Sequence, residues 1–433
     1  MTAIRPAHNL FSADHGTNTP PYSGDTQAIR PRVRIFNVKY SPNLGDGLLS
    51  ECLEHALVRC GAHDDTWSVD LAGRTAYGPG AAGRGPLIRA LHMLPTPMRE
   101  LAVRLPLAVQ SRRRWRPHYD AALPGASCIV IGGGNLIVDL DLNFPTKIAL
   151  AVEAAERRGL PAFIYGCGVS SGWSRSGRAL MRRALDRRIL KKVYVRDERS
   201  RLLWNAEFGT EFDLPAGVVP DPGLLASWRY RIEGIAPQTN NGRRSIGLNI
   251  TSPLAVRYHS TQQVETEALE TWYRNLAKAL VLAGNDVTIF TNGSPEDRSC
   301  ARRIKADVQA DLPADRIAYV EPETPAQLAG LIGSLQGLVA FRMHAVIAAY
   351  SCRVPFVALC WDPKLDSFLE SVNLEKWLID PLACSPRSTC GVLETAMSSG
   401  IDAQVHAATL AQASDSVAIL KAEMDRAVAE THR

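Results

Sequence analysis

Arg342, Met343 and His344 end a short apolar run at 337–341, and Asp362, Pro363 and Lys364 end a second one at 355–360. The stretch between them, 345–352, reads as a helix. Two parallel strands joined by a helix deliver both following loops to one edge of a sheet. Arg342, His344 and Lys364 then converge, with Asp362 beside them. Guanidinium pairs bidentately with oxyanions, ammonium acts as a point charge, and imidazole moves a proton near neutral pH. Such a set suits a small, highly charged anion better than a sugar. The plain alternative is a helix-capping His344 and a surface ion pair at Arg342.

Further polar residues recur where apolar runs end. Asn43-Leu44-Gly45-Asp46 follows the first run and opens a helix, where free N–H groups attract anions. Asn43 and Asp46 would contact substrate or cap the helix, and capping is the simpler role for Asp46. Gly132-Gly133-Gly134-Asn135 reads as a turn whose bare backbone lets a ligand approach. It is not the dinucleotide-binding glycine pattern. Gly166-Cys167-Gly168 is a similar turn, with Cys167 better read as a packing residue than as a nucleophile. Arg196 ends another run, and either projects at the sheet edge or pairs with Asp197 or Glu198. Asp221-Pro222-Gly223 ends the last run of the first half.

The elements that must position these residues alternate between strand and helix. Strands are expected at 33–38, 127–131, 162–165, 193–195 and 216–219, with helices at 48–59 and 147–158. A polar stretch at 229–244 interrupts the pattern, which then restarts. Strands are expected at 245–250, 286–290 and 317–320, and helices at 264–283, 295–310 and 325–332. The fold class is therefore α/β, with two Rossmann-like domains and a cleft between them. The division is a loose tail at 1–30, a first domain at 31–228 with a basic insertion at about 75–118, a linker at 229–244, a second domain at 245–390 and a helical end at 391–433. A chain of 433 residues exceeds one core, which fits two domains.

Composition narrows the class. Hydrophobic residues at 46% and charged residues at 21% are ordinary for a globular chain, and no apolar run is long enough to span a bilayer. The polar first thirty residues lack a secretory h-region, which points to the cytoplasm. Nine cysteines without a C-x-x-C pair argue for reduced thiols and against a zinc site. No metal or resident cofactor is expected, and no basic–aromatic pattern suggests nucleic acid.

Taken in order, N-L-G-D at 43–46, G-G-G at 132–134, G-x-G at 166–168, R-D-x-x-S at 196–200, D-P at 221–222, R-M-H at 342–344 and Lys364 resemble the polysaccharide pyruvyl transferase family. The resemblance spans about 33–374, apart from 75–118, and the family often has Gln where this chain has Cys167. It implies a fold similar to the GT-B glycosyltransferases, phosphoenolpyruvate as donor and co-substrate, and a sugar acceptor, free or lipid-linked. The product would be a pyruvate ketal across two hydroxyls, with phosphate released.

That chemistry wants the residues present. The donor carries a carboxylate and a phosphate, and Arg196, Arg342, His344 and Lys364 would hold it. The reaction needs an acid, a base and support for the leaving phosphate. His344 and Arg342 are candidates for those tasks, with Asp46, Asp221 and Asp362 as possible carboxylates among which the residues do not choose. Asn43, Gly45, Gly133, Gly134, Asn135, Gly168 and Asp362 would line the cleft or the acceptor side. Two readings compete: a nucleotide-sugar glycosyltransferase, with Glu370 on the donor ribose, and a non-catalytic sugar-polymer binding protein. Finally, 84–118 holds eight Arg and one acid, and 175–192 holds eight Lys or Arg and one acid. Either is a solvated helix face or a contact with an anionic membrane at its inner surface.

Overall fold

The computed structural model describes residues 30–78, 96–232, 242–255, 266–360 and 363–431. The tail at 1–29, most of the linker at 233–241, part of the insertion at 79–95 and Asp362 lie outside the described residues.

Two six-stranded sheets, parallel throughout, form the frame. The first comprises β1 (Val33–Asn37), β2 (Trp67–Asp70), β3 (Cys128–Ile137), β4 (Ala162–Val169), β5 (Leu190–Val195) and β6 (Ala216–Val218). Its order is β2-β1-β3-β4-β5-β6. The second comprises β7 (Ser245–Asn249), β8 (Asp286–Phe290), β9 (Ile317–Val320), β10 (Gly337–Ala340), β11 (Phe356–Leu359) and β12 (Leu378–Ile379). Its order, β12-β11-β10-β7-β8-β9, is the Rossmann order read within that sheet. The two-domain Rossmann-like, GT-B-type architecture follows from these sheets.

The first domain's helices are α1 (Leu44–Arg59), α2 (Thr96–Gln110), α3 (Arg116–Ala122), α4 (Asn143–Glu156), α5 (Arg175–Leu185), α6 (Glu198–Trp204) and α7 (Ala226–Tyr230). The second has α8 (Thr266–Leu282), α9 (Pro295–Asp311), α10 (Pro325–Gly333), α11 (Met343–Ser351), α12 (Pro363–Ser371), α13 (Pro386–Ser399) and α14 (Ala403–Thr431). Each sheet has an outer core with its own helices, built around Phe36, Ile131 and Trp204 in one and Leu276, Ile289 and Val339 in the other. A third cluster joins the inner faces. It contains Leu48 and Leu53 of α1, Leu328 and Ile332 of α10, Ile347 of α11, and Leu420 and Met424 of α14. At about 1.5 Å per residue α14 runs roughly 43 Å. It returns the end of the chain to the first domain, where Ser416 bonds the Tyr165 hydroxyl at 2.8 Å.

Three local expectations need correction. The glycines at 132–134 do not form a turn after a strand. β3 continues through them, pairing Gly132 with Tyr165 and Gly134 with Cys167, and its register shifts only between Gly134 and Ile137. Positive φ at Gly133 (80°) and Gly134 (78°) makes this a bulged strand, a conformation that favours glycine. β4 likewise runs through Gly166-Cys167-Gly168. β2 was unforeseen because four residues, Trp-Ser-Val-Asp, carry too little alternation to stand out. The insertion is α2, a π turn at Ser111–Trp115 and α3, set between β2 and β3.

Candidate functional site

In open parallel sheets, ligands bind beyond the carboxyl ends of the strands where the strand order reverses. In the first sheet that point lies between β1 and β3, and in the second between β7 and β10. The two points face one another. A cavity of about 320 Å³ between them is lined by Asn43, Asp46, Asn135, Arg196, Asn292, Arg342, His344 and Lys364, with Phe144 and Leu365 among its apolar walls. Arg342, His344 and Lys364 thus share one wall, supplied by the end of the loop after β10 and the first turns of α11 and α12. Pairing of β10 with β11 around α11 puts them there.

His344 stands at the centre. It is the second residue of α11, nearly buried, and it caps nothing. Its Nδ1 lies 4.0 Å from Asp46 Oδ1 and its Nε2 lies 3.7 Å from Asp221 Oδ2. Both carboxylates come from the first domain. His344 Nε2 and Asp221 Oδ2 are buried and have no hydrogen-bond partner, an arrangement that needs a reason in a folded protein. Gly45 makes the approach possible: a Cβ there would sit 2.7 Å from His344 Cβ.

The two carboxylates differ. Burial raises Asp46 above its usual range, and His344, Ser41 and two arginines only partly offset it. Burial also raises Asp221, but His344, Arg196 and the Gly223 N–H outweigh it and hold the group below its usual range. Paired groups driven apart in this way divide acid and base roles. The roles at the start of α1 also differ from expectation. Asn43 caps the helix, accepting from the Gly45 N–H at 3.2 Å, and leaves the Asp46 carboxylate facing His344.

The cations differ too. Arg196 is almost fully buried; its Nε reaches Asp197 Oδ2 at 3.4 Å, while Nη2 has no hydrogen-bond partner. Gly168 makes room for it, since a Cβ there would lie 2.6 Å from Arg196 Nη2 and 2.7 Å from Asn135 Oδ1. Asp197 itself caps α6 by accepting from the Ser200 N–H at 2.6 Å. Arg342 lines the cavity, but its Nε and Nη2 donate to Asp297 Oδ2 at 3.0 and 2.5 Å, and Nη2 also reaches Ser294 Oγ at 3.2 Å. Neither Asp297 nor Ser294 was anticipated; Ser-Pro-Glu-Asp at 294–297 resembles an ordinary helix start. Asn292 was also missed. It bridges the domains through its carbonyl, which accepts from the Leu44 N–H at 2.7 Å.

Gly133 and Gly134 do not line the cavity; Gly133 packs against Leu49 of α1. Cys167 is fully buried with its thiol pushed up to about 12 by burial, which suits packing rather than nucleophilic attack. A second, larger cavity of about 800 Å³ shares Arg196, Met343 and Lys364 with the first and is lined by Asp221 as well. Its remaining walls include Asp197, Glu198, Glu370, Ser367, Ser371, Thr409 and Gln412. Among the described residues, no group of three or more His, Cys, Asp or Glu side chains is placed to hold a metal ion.

A sequence-family model described as polysaccharide pyruvyl transferase matches residues 43–363. No curated protein sequence gives a significant match. In shape, the chain is similar to UDP-GlcNAc 2-epimerase from Methanocaldococcus jannaschii, at 9% identity over 84% of this chain and 92% of that one, with a TM-score of 0.49. It is similar to alpha,alpha-trehalose 6-phosphate synthase from Burkholderia multivorans, at 11% identity over 94% and 100%, with a TM-score of 0.49. It is also similar to ADP-heptose LPS heptosyltransferase II of E. coli, at 13% identity over 85% and 99%, with a TM-score of 0.40. None of these likenesses bears on activity.

Proposed function

This chain belongs to the polysaccharide pyruvyl transferase family, and we propose that it moves the pyruvyl group of phosphoenolpyruvate onto two hydroxyls of a sugar. One observation carries the donor assignment. Arg196 holds an unpartnered, buried guanidinium nitrogen at a cavity that Arg342, His344 and Lys364 also line. A group with close to three negative charges matches that cavity, and a neutral sugar does not.

In this reading the donor's phosphate and carboxylate lie against Arg196, Lys364 and Arg342. Asp46, whose proton is held more tightly than usual, protonates C3 and makes it a methyl group. A sugar hydroxyl attacks C2 and gives its proton to His344, whose imidazolium is steadied by ionised Asp221. The C2–O bond to phosphate then breaks, and the second hydroxyl attacks C2. The proton held on His344 leaves with phosphate, and the proton from the second hydroxyl restores Asp46. Two hydroxyl protons are thus accounted for, one on the methyl carbon and one on phosphate.

The second cavity suits the acceptor. Asp197, Glu198 and Glu370 repel a polyanion but accept hydrogen bonds from hydroxyls, and an acceptor in this cavity would lie beside Asp221 and Arg196, the latter shared with the donor cavity. Glu370 also favours the nucleotide-sugar glycosyltransferase. Incubation with phosphoenolpyruvate and a panel of nitrophenyl and lipid-linked sugars, read by phosphate release and the mass gain of one pyruvyl group, separates the two. Turnover of a UDP-sugar in place of phosphoenolpyruvate sinks the pyruvyl reading.

A further inference from the structure

The two arginine-rich segments, about seventy positions apart in sequence, come together in the fold. Arg104 of α2 donates to Ser176 Oγ of α5 at 3.1 Å. Between α2, α4 and α5 lies a groove of about 260 Å³, lined by Arg112, Arg116, Arg183 and Arg187 against one carboxylate, Glu153. Arg116 is paired with Glu153, and Arg187 with Glu156. Arg112 and Arg183 are exposed, and no carboxylate among the described residues lies within salt-bridge range of either. Arg113, next to Arg112, is exposed in the same way.

Apolar side chains accompany the charge. Leu105 is 73% exposed and Val109 45% exposed. With Ala108 and Arg112 they fall on one stripe that runs from α2 into the π turn, at spacings of three and four residues. One exposed leucine is ordinary on a protein surface, but Leu105 and Val109 together beside Arg112 make a mixed apolar and basic patch. A surface that meets lipid headgroups has use for both, since cations sit among phosphates while apolar side chains enter the acyl boundary.

We propose that the face formed by α2, the π turn and α5 docks on an anionic lipid bilayer, with Arg112 and Arg183 taking headgroup phosphate in the groove. α4 ties this face to the catalytic cleft. Its Phe144 lines the smaller central cavity, while Thr146, Ala149 and Glu153 line the groove. Phe144 and Glu153 are nine positions apart on this helix, about 14 Å along the axis. A sugar carried on a lipid at that surface is therefore within a few sugar lengths of the cavity. The docking itself does not depend on the proposed reaction, and its test reads no turnover.

The experiment is co-sedimentation of the full chain with vesicles of equal parts phosphatidylglycerol and phosphatidylcholine, against vesicles of phosphatidylcholine alone. Binding is expected to the anionic vesicles at about 0.05 M salt, to fall away at about 0.5 M as screening shortens, and to be absent on the neutral vesicles. Each basic residue at an anionic surface is worth roughly fivefold in partitioning, so Arg112→Ala with Arg183→Ala should weaken binding about 25-fold. Leu105→Ser should weaken it independently. Arg302→Ala with Arg387→Ala, on the other domain, should leave it unchanged. No binding to anionic vesicles at low salt overturns the proposal. So does equal loss from the distant pair, which would reduce the effect to net charge. Binding of inorganic pyrophosphate without vesicle binding would point to a soluble anion and overturn it as well.

Discussion

Replacing Asp221 by Asn keeps the shape of the side chain and removes the charge beneath His344. The amide oxygen can still accept from the Gly223 N–H, which Asp221 Oδ1 does at 2.8 Å. What is lost is the counter-charge 3.7 Å from Nε2. Coulomb's law at an effective dielectric of about 20 gives roughly 4.5 kcal/mol for a full imidazolium–carboxylate pair at that separation. If about 60% of this is realised as the imidazolium forms, the barrier rises by about 2.7 kcal/mol, a ~100-fold fall in turnover. The assay is phosphate release at saturating phosphoenolpyruvate with whichever sugar of the panel is turned over. KM for phosphoenolpyruvate should move by less than about tenfold, because Asp221 steadies a charge that develops during reaction. A turnover within about threefold of the wild type would refute the pairing of Asp221 with His344. Stability supplies a second check with a fixed sign. Asp221 lies below its ordinary value of 3.8 in the folded state. Its contribution is fully present above 3.8 and is lost as pH falls through the lower folded value. The variant should therefore be less stable than the wild type at neutral pH, and the gap should close in the acid range below 3.8.

Four further outcomes are expected. Asp46→Asn should abolish turnover yet raise the thermal midpoint at neutral pH, because burial disfavours the ionised form of this carboxyl and the amide has no such form; that gain should shrink toward acid. Arg196→Ala should raise KM for phosphoenolpyruvate about 10- to 100-fold, the range for losing a charge-assisted contact, with a smaller effect on the sugar's KM. Asp297→Ala should cost about 3–5 kcal/mol in urea unfolding, since Arg342 loses its buried partner; a change under about 0.5 kcal/mol would show the pair to be incidental. Gly45→Ala should push His344 aside and cost about 1–3 kcal/mol of overpacking, lowering turnover in a protein that still folds by circular dichroism.

The strand-end polar residues were legible because β/α alternation puts every strand's carboxyl end on one edge, so Asn43, Asp46, Arg196 and Arg342 could be sorted to the cleft without coordinates. Their partners were not. Whether Arg342 reaches substrate or a carboxylate depends on Asp297, which sits in a different crossover of the same sheet and gives no local signal. The choice between Asp46 and Asp221 depended on which is sunk among cations, a property of two domains meeting. The glycines at 132–134 misled because a bulged strand and a turn use the same residue for the same positive φ. Arg112 and Arg183 were each visible as members of basic segments, but their union in one groove needed α2 folded over α4 and α5.

The most direct measurement is the reaction run in deuterium oxide, with released phosphate and pyruvylated sugar quantified together and the ketal methyl group examined by NMR. One phosphate per pyruvyl group, a single deuterium on the methyl carbon, and neither product from His344→Ala are expected. Phosphate release without a ketal, or a ketal formed at an undiminished rate by His344→Ala, would contradict the proposed reaction.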